Sequence, residues 1–137
     1  MSANHKLILL ADDDPEDLEL LQEALLQCEA GLKIHLADSG KKVLEFLRKS
    51  HDNHLPSLIV LDYNMPDMKG PEVLAKLQSD SRYQNIPKIV WSTSNNSLYI
   101  KECMENGATS YFVKPSNSKE LQQQAKEMLA LGNGKLS

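Results

Sequence analysis

The pair Asp12 and Asp13, and Asp62, Ser92 and Lys114, are far apart in the chain, yet each stands at the end of a short apolar run. Such runs read as strands buried on both faces of a parallel sheet, and in that arrangement every C-terminal strand end opens on the same side. Three carboxylates, one hydroxyl and one amine would then share a cleft. Asp62 alone could be no more than a helix cap, but the acids that close the first run, ADDD at Ala11 to Asp14, put a second acidic group beside it. Carboxylates held together repel, which raises their pKa values unless a cation shares the site. Mg²⁺ suits this donor set because it takes hard oxygen ligands and keeps several waters, whereas zinc would want His or Cys. The lysine can neutralise an acidic oxygen at rest, Asp62 being the expected one, or pair with a transferred phosphoryl group, and the hydroxyl can donate to another of its oxygens. A carboxylate nucleophile beside a metal and a lysine is the equipment for an aspartyl-phosphate.

The elements that must position these groups follow from the pattern. Leu7–Ala11 is too short for a helix and suits a central strand. Pro15, with Glu16 and Asp17 behind it, opens a helix whose buried face is Leu18, Leu21, Leu25 and Cys28. Leu32–Ala37 alternates apolar and polar, as a half-covered edge strand does, which leaves His35 facing solvent. Ser39 caps a second helix carrying Val43, Leu44 and Leu47; His51 and His54 beyond it lie in a solvated loop.

Leu58–Leu61 is the strand that ends at Asp62, and Tyr63, Asn64, Met65, Pro66 and Gly70 form a loop over its edge. A third helix opens at Pro71 with Val73, Leu74 and Leu77 inward. KIVWS, ending at Ser92, is the fourth strand; Ile100, Cys103 and Met104 mark the fourth helix, with Gly107 in its last turn. TSYFV precedes Lys114 and Pro115. Asn117 with Glu120 resembles a capping box at the head of a fifth helix, whose inward face is Leu121, Ala125, Met128 and Leu129. Five strands alternating with five helices imply an α/β fold with right-handed crossovers and helices on both faces of a parallel sheet.

At 137 residues, the chain has room for one domain, with a core over about 6–131 and a short tail at 132–137. A formal charge of −4, with 15 basic residues scattered along the chain, argues against a direct nucleic-acid surface. No stretch approaches a membrane span, the first six residues lack a signal peptide's apolar region, and Cys28 and Cys103 read as reduced core thiols, so a cytoplasmic protein is expected.

The order of these motifs, with the chain length, resembles the response-regulator receiver domain of two-component signalling over nearly the whole chain. The resemblance implies a flavodoxin-like sheet of order 2-1-3-4-5. It implies that Asp62 accepts a phosphoryl group from a sensor histidine kinase or a phosphotransfer protein. Asp13, Asp62 and the backbone carbonyl of Asn64 would hold Mg²⁺, with Asp12 acting mainly through water. Ser92 and Tyr111 match the family's switch positions, although Tyr111 could be only a strand aromatic. Serine stands at 92 where threonine is commoner, and Trp91 where a smaller aliphatic residue is usual. Side chains two beyond the acceptor and two beyond the switch hydroxyl, Asn64 and Ser94, should border the path of hydrolytic water; Ser94 and Asn96 could equally cap the fourth helix.

A receiver catalyses only its own phosphorylation and dephosphorylation, and its output is a protein contact, a homodimer through the face of the fourth and fifth helices among them. The long second-helix region and LDYNMPDMKGPEVL are more weakly reminiscent of regulators that partner phytochrome-type histidine kinases. Three readings compete. A phosphorylation-independent scaffold would lose the acid pair, the acceptor or the lysine, and all are present. A haloacid-dehalogenase-type phosphatase needs an acid where Asn64 stands. A flavodoxin needs a hydroxyl- and glycine-rich phosphate loop after the first strand, where this chain has acids.

Overall fold

The computed structural model describes residues 6–134. Five parallel strands, β1 (Leu7–Ala11), β2 (Lys33–Ala37), β3 (Leu58–Leu61), β4 (Lys88–Ser92) and β5 (Ser110–Val113), lie in the order β2-β1-β3-β4-β5. Five helices alternate with them: α1 (Pro15–Cys28), α2 (Gly40–Lys49), α3 (Gly70–Gln78), α4 (Ser97–Glu105) and α5 (Ser118–Gly132). The flavodoxin-like order expected from the sequence is the one observed. Of the expected tail at 132–137, Gly132 closes α5, and residues 135–137 lie outside the described residues, as does most of the segment read for a signal peptide.

The period-two alternation of the central strands divides their side chains between two cores. Leu9, Ala11, Ile59, Leu61 and Val90 pack with Val43 and Leu47 of α2, Val73, Leu74 and Leu77 of α3, and Cys103 of α4. Ile8, Leu10, Leu58, Val60, Ile89 and Trp91 pack on the other face with Leu18, Leu21 and Leu25 of α1 and Leu121, Ala125, Met128 and Leu129 of α5. Every residue of β3 is buried, so this strand is fixed from both sides. β2 is an edge strand with His35 exposed and stacked on Phe46 at 3.9 Å between ring centroids.

Helix starts obey the capping chemistry read from the sequence and add to it. Asp14 accepts from the Glu16 and Asp17 N–H groups, Ser39 from Lys42, Asn96 from Leu98 and Asn117 from Glu120. α3 starts at Gly70, one residue before the expected Pro71. Gly107 follows α4 with φ +105°, a conformation that favours glycine, and donates to the Met104 carbonyl, as a helix-ending residue does. Cys28 and Cys103 are free thiols; Cys103 is buried, and burial pushes its pKa up to about 12.

Candidate phosphoacceptor site at the strand ends

The sheet ladder continues past the strands and carries the polar residues with it. The Asp12 N–H donates to the Ala37 carbonyl at 3.0 Å, the Asp62 N–H to Ala11 at 2.9 Å and the Lys114 N–H to Ser92 at 2.7 Å. Residues separated by up to 102 positions are thereby aligned at one edge. Oxygens of Asp12, Asp13 and Asp62 all lie within 4.8 Å of one another. Asp12 and Asp62 are buried and Asp13 is exposed, so the cluster has a dry floor and one open side. The third acid of the ADDD run takes another role: Asp14 caps α1, and its own N–H donates to Asp12 at 2.9 Å.

The electrostatics follow from that packing. Burial, with the charge of Asp12 next, raises the Asp62 pKa to about 7 against the pull of Lys114. Burial likewise raises the Asp12 pKa, opposed by its bond with Lys114. Burial works against the Lys114 charge, but its bonds to Asp12 and Asp17 outweigh it and the pKa rises. Near neutral pH the acid cluster is short of positive charge. Its donors are all hard carboxylate oxygens, without His or Cys, which fits Mg²⁺ or Mn²⁺ and not a thiophilic metal.

Lys114 departs from the expected pairing. Its ammonium donates to Asp12 Oδ2 and to Asp17 Oδ2, each at 2.7 Å, and stands 3.9 Å from Asp62 Oδ1, beyond hydrogen-bond reach. The neutralised oxygens at rest are therefore those of Asp12 and Asp17, and Asp62 keeps its lone pairs free of the lysine. Asp17 went unread as a site residue because its place in the first turn of a helix explained it fully. The available signal was direction: helical side chains lean towards the N-terminus, so an acid in the first turn of α1 points back over the sheet edge.

Ser92 is buried at the end of β4. Its Oγ accepts from the Ser94 N–H at 3.2 Å, and the Tyr111 hydroxyl donates to the Ser94 carbonyl at 2.7 Å. The half-buried Tyr111 ring packs against the core shared by α2, α3 and α4. Of the two residues read as caps of α4, Asn96 is the cap, its side chain accepting from the Leu98 N–H at 2.8 Å, while Ser94 Oγ accepts at 3.1 Å from the N–H of Asn96 itself, one residue before the helix. Asn64 is exposed on the β3–α3 loop.

Two contacts that the sequence did not announce stiffen this loop. Tyr63, next to Asp62, is buried, stacks on Tyr99 at 4.4 Å between centroids and donates its hydroxyl to Glu102 of α4 at 2.6 Å. Gly70 donates to the Tyr63 carbonyl at 2.7 Å, and a Cβ there would lie 2.9 Å from the Asp62 carbonyl. Trp91 packs behind the site, its indole N–H bonded to Gln124 at 2.9 Å and its ring centroid 5.0 Å from Lys114 Nζ.

Known proteins align with this arrangement. The family described as the response regulator receiver domain matches residues 8–126. The two-component response regulator ORR1 of Oryza sativa is 35% identical over 84% of this chain and 52% of its own length, and ORR5 of the same species 34% over 79% and 77%. ARR9 of Arabidopsis thaliana is 35% identical over 84% of the chain and 56% of its own length, so the chain spans about half the length of two of these three relatives. Among solved structures, the phosphorylated cyanobacterial phytochrome response regulator RcpA superposes with a TM-score of 0.85 at 32% identity over 97% of each chain. The Mn²⁺-bound response regulator Rcp1 superposes with a TM-score of 0.82 at 28% identity, over 96% of this chain and 97% of its own.

Proposed function

The chain belongs to the response regulator receiver domain family, and from that premise we propose that Asp62 accepts a phosphoryl group from the histidine of a sensor kinase or phosphotransfer protein. The observation that carries this reading is the meeting of Asp12, Asp13 and Asp62 within 4.8 Å, with Lys114 bonded into the cluster. An Asp62 oxygen attacks phosphorus, the new P–O bond replaces the P–N bond of the phosphohistidine, and the departing imidazole keeps the electron pair. Asp62 is suited to this because burial raises its basicity and no direct bond to Lys114 ties up its lone pairs. Mg²⁺ held by Asp13, Asp62 and the Asn64 carbonyl, with Asp12 through water, would screen the carboxylates from one another and from the incoming phosphoryl oxygens.

Ser92 and Lys114 do the rest of the work. A phosphoryl group on Asp62 brings oxygens that need donors: the Ser92 hydroxyl gives one and the Lys114 ammonium another. Recruitment of Ser92 takes its Oγ from the Ser94 N–H and moves the backbone to which Tyr111 is bonded, which alters the face formed by α4, β5 and α5. That face exposes Leu98 (71%), Met104 and Val113, apolar surface suited to a protein partner or a second copy of the chain. Hydrolysis reverses the covalent step, water attacking phosphorus past Asn64 and Ser94 to release inorganic phosphate and the Asp62 carboxylate.

The likeness to the phytochrome response regulator RcpA supports a phytochrome-type kinase as the phosphodonor. A receiver fold acting only as a scaffold has no use for two buried acids, an exposed one and a lysine at one edge, since the mutual repulsion of the acids costs stability. Incubation with acetyl phosphate and Mg²⁺, read by intact mass, tests the proposal: one phosphoryl group adds to the wild type, and chelation abolishes it. Among the described residues no helix is long and apolar enough to cross a membrane. A single receiver domain at 1–137, working in the cytoplasm, completes the proposal.

A further inference from the structure

The Lys114 ammonium has three protons to donate, and two are committed at 2.7 Å, one to Asp12 and one to Asp17. Its side chain is 9% exposed, packed between these acids with the Trp91 ring 5.0 Å away. The two acceptors differ in kind. Asp12 belongs to the strand-end cluster with Asp62. Asp17 belongs to α1, stands outside the cluster, and brings its carboxylate to the site through Lys114. We propose that Asp17 is a positioning residue that holds Lys114 off Asp62 in the resting protein and competes with the phosphoryl group for its ammonium. This rests on the reading of Asp62 as phosphoacceptor.

The geometry gives the competition its sense. Lys114 is 3.9 Å from Asp62 Oδ1, so it must move to donate to anything carried on that carboxylate. Asp12 shares the strand-end cluster with Asp62, their carboxylate oxygens within 4.8 Å of each other, whereas the Asp17 bond is anchored to the first turn of a helix outside that cluster. Asp17 is thus the contact that lengthens as Lys114 turns to the phosphoryl oxygens. The same contact forms part of the wall of a cleft of about 190 Å³, lined also by Leu20, Trp91, Pro115 and Leu121. Loss of the bond frees the start of α1 and reshapes that cleft, on the face of the sheet opposite Tyr111. Phosphorylation is then felt on both faces.

Beryllofluoride, which mimics the phosphoryl group without a covalent step, makes the competition an equilibrium measurement. Its affinity in the presence of Mg²⁺ can be followed by the emission of Trp91, the one tryptophan of the chain. Asp17→Asn should bind beryllofluoride about tenfold more tightly than wild type, equivalent to about 1.4 kcal/mol. Asp17→Glu, which keeps the carboxylate, should stay within about twofold of wild type, as should Glu16→Gln, which removes a charge from the same helical turn without touching Lys114. The resting emission of Asp17→Asn should also lie closer to the beryllofluoride-bound spectrum, because Lys114 has left the ring. A purely structural or long-range charge effect would not give that spectrum. Affinity in Asp17→Asn no tighter than wild type, or equal tightening in Glu16→Gln, would overturn the inference. If Asp62→Asn binds beryllofluoride as well as wild type does, the phosphoacceptor reading itself fails, and the role of Asp17 falls with it.

Discussion

Ser92 and Tyr111 are joined through a single residue: the Ser94 N–H donates to Ser92 Oγ at 3.2 Å, and the Ser94 carbonyl accepts the Tyr111 hydroxyl at 2.7 Å. The link gives the proposed switch a physical form, since drawing Ser92 Oγ towards Asp62 removes one of the two bonds that hold the Ser94 backbone. Ser92→Ala should therefore still be phosphorylated, while the Tyr111 ring resonances no longer shift on phosphorylation. NMR of the Tyr111 ring with and without beryllofluoride checks this; an undiminished shift in Ser92→Ala would exclude the coupling.

Gly70 fixes the height of the β3–α3 loop that follows Asp62. A Cβ there would meet the Asp62 carbonyl at 2.9 Å and the Tyr63 Cα at 3.2 Å, and backbone atoms cannot step aside as a side-chain tip can. Gly70→Ala is expected to destabilise the fold by about 1–3 kcal/mol and to slow phosphorylation, because the clash pushes directly on Asp62. Gly31→Ala, with nothing within 4 Å of its Cβ, should change neither. Urea titration and acetyl phosphate labelling of both variants distinguish them.

Asp67 ties the same loop to a distant helix. Its carboxylate accepts from the Gly40 N–H at 3.0 Å and the Lys41 N–H at 2.8 Å, at the start of α2. Burial is the largest single influence and opposes the charge, but the backbone bonds, those from Lys41 and Gly40 first, together outweigh it and hold the pKa below the ordinary 3.8. A carboxylate with a depressed folded pKa adds stability that is complete above its unfolded value and is lost as the pH falls through the folded one. Asp67→Asn should thus be less stable than wild type at pH 6, by about 0.5–1 kcal/mol for this exposed cap, with the gap closing below about pH 3.8. A gap that is constant from pH 6 to acid, measured by thermal unfolding, would show that the charge contributes nothing.

Of the two positions proposed to border the hydrolytic water, Asn64 is the better test of phosphoryl lifetime, because Ser94 Oγ also accepts from the N–H of Asn96, the cap of α4, and its loss would disturb the start of the helix. Asn64→Arg should slow loss of the phosphoryl group several-fold by obstructing water opposite the Asp62 oxygen, with Mg²⁺ affinity nearly unchanged, since the backbone carbonyl remains. Decay followed by intact mass after the donor is removed gives the comparison. Equal decay would place control of the water elsewhere.

The strands and the order of the sheet were legible because uninterrupted apolar runs such as Leu58–Leu61 have few alternatives, and the polar residues ending them were plain in any reading. Asp17 was not, because its partner Lys114 lies 97 residues away and helical position already accounted for an acid there. Tyr63 gave no sign of Glu102 for the same reason. Arg82, in the connection between α3 and β4, donates to the Leu47 carbonyl at 3.0 Å, to the Ser50 carbonyl and to Asp52 at 2.5 Å, closing the end of α2. Single side chains that bridge elements leave no periodicity, so pattern reading passes over them.

The most direct measurement is chemical mapping of the phosphorylated residue. Protein treated with acetyl phosphate and Mg²⁺ is reduced with borohydride, which converts an aspartyl-phosphate to homoserine, and is then digested and sequenced by mass spectrometry. Homoserine at position 62 alone, and none anywhere in Asp62→Asn, is the expected result. Homoserine at Asp12 or Asp13 with Asp62 unmodified, or full labelling of Asp62→Asn, would contradict it.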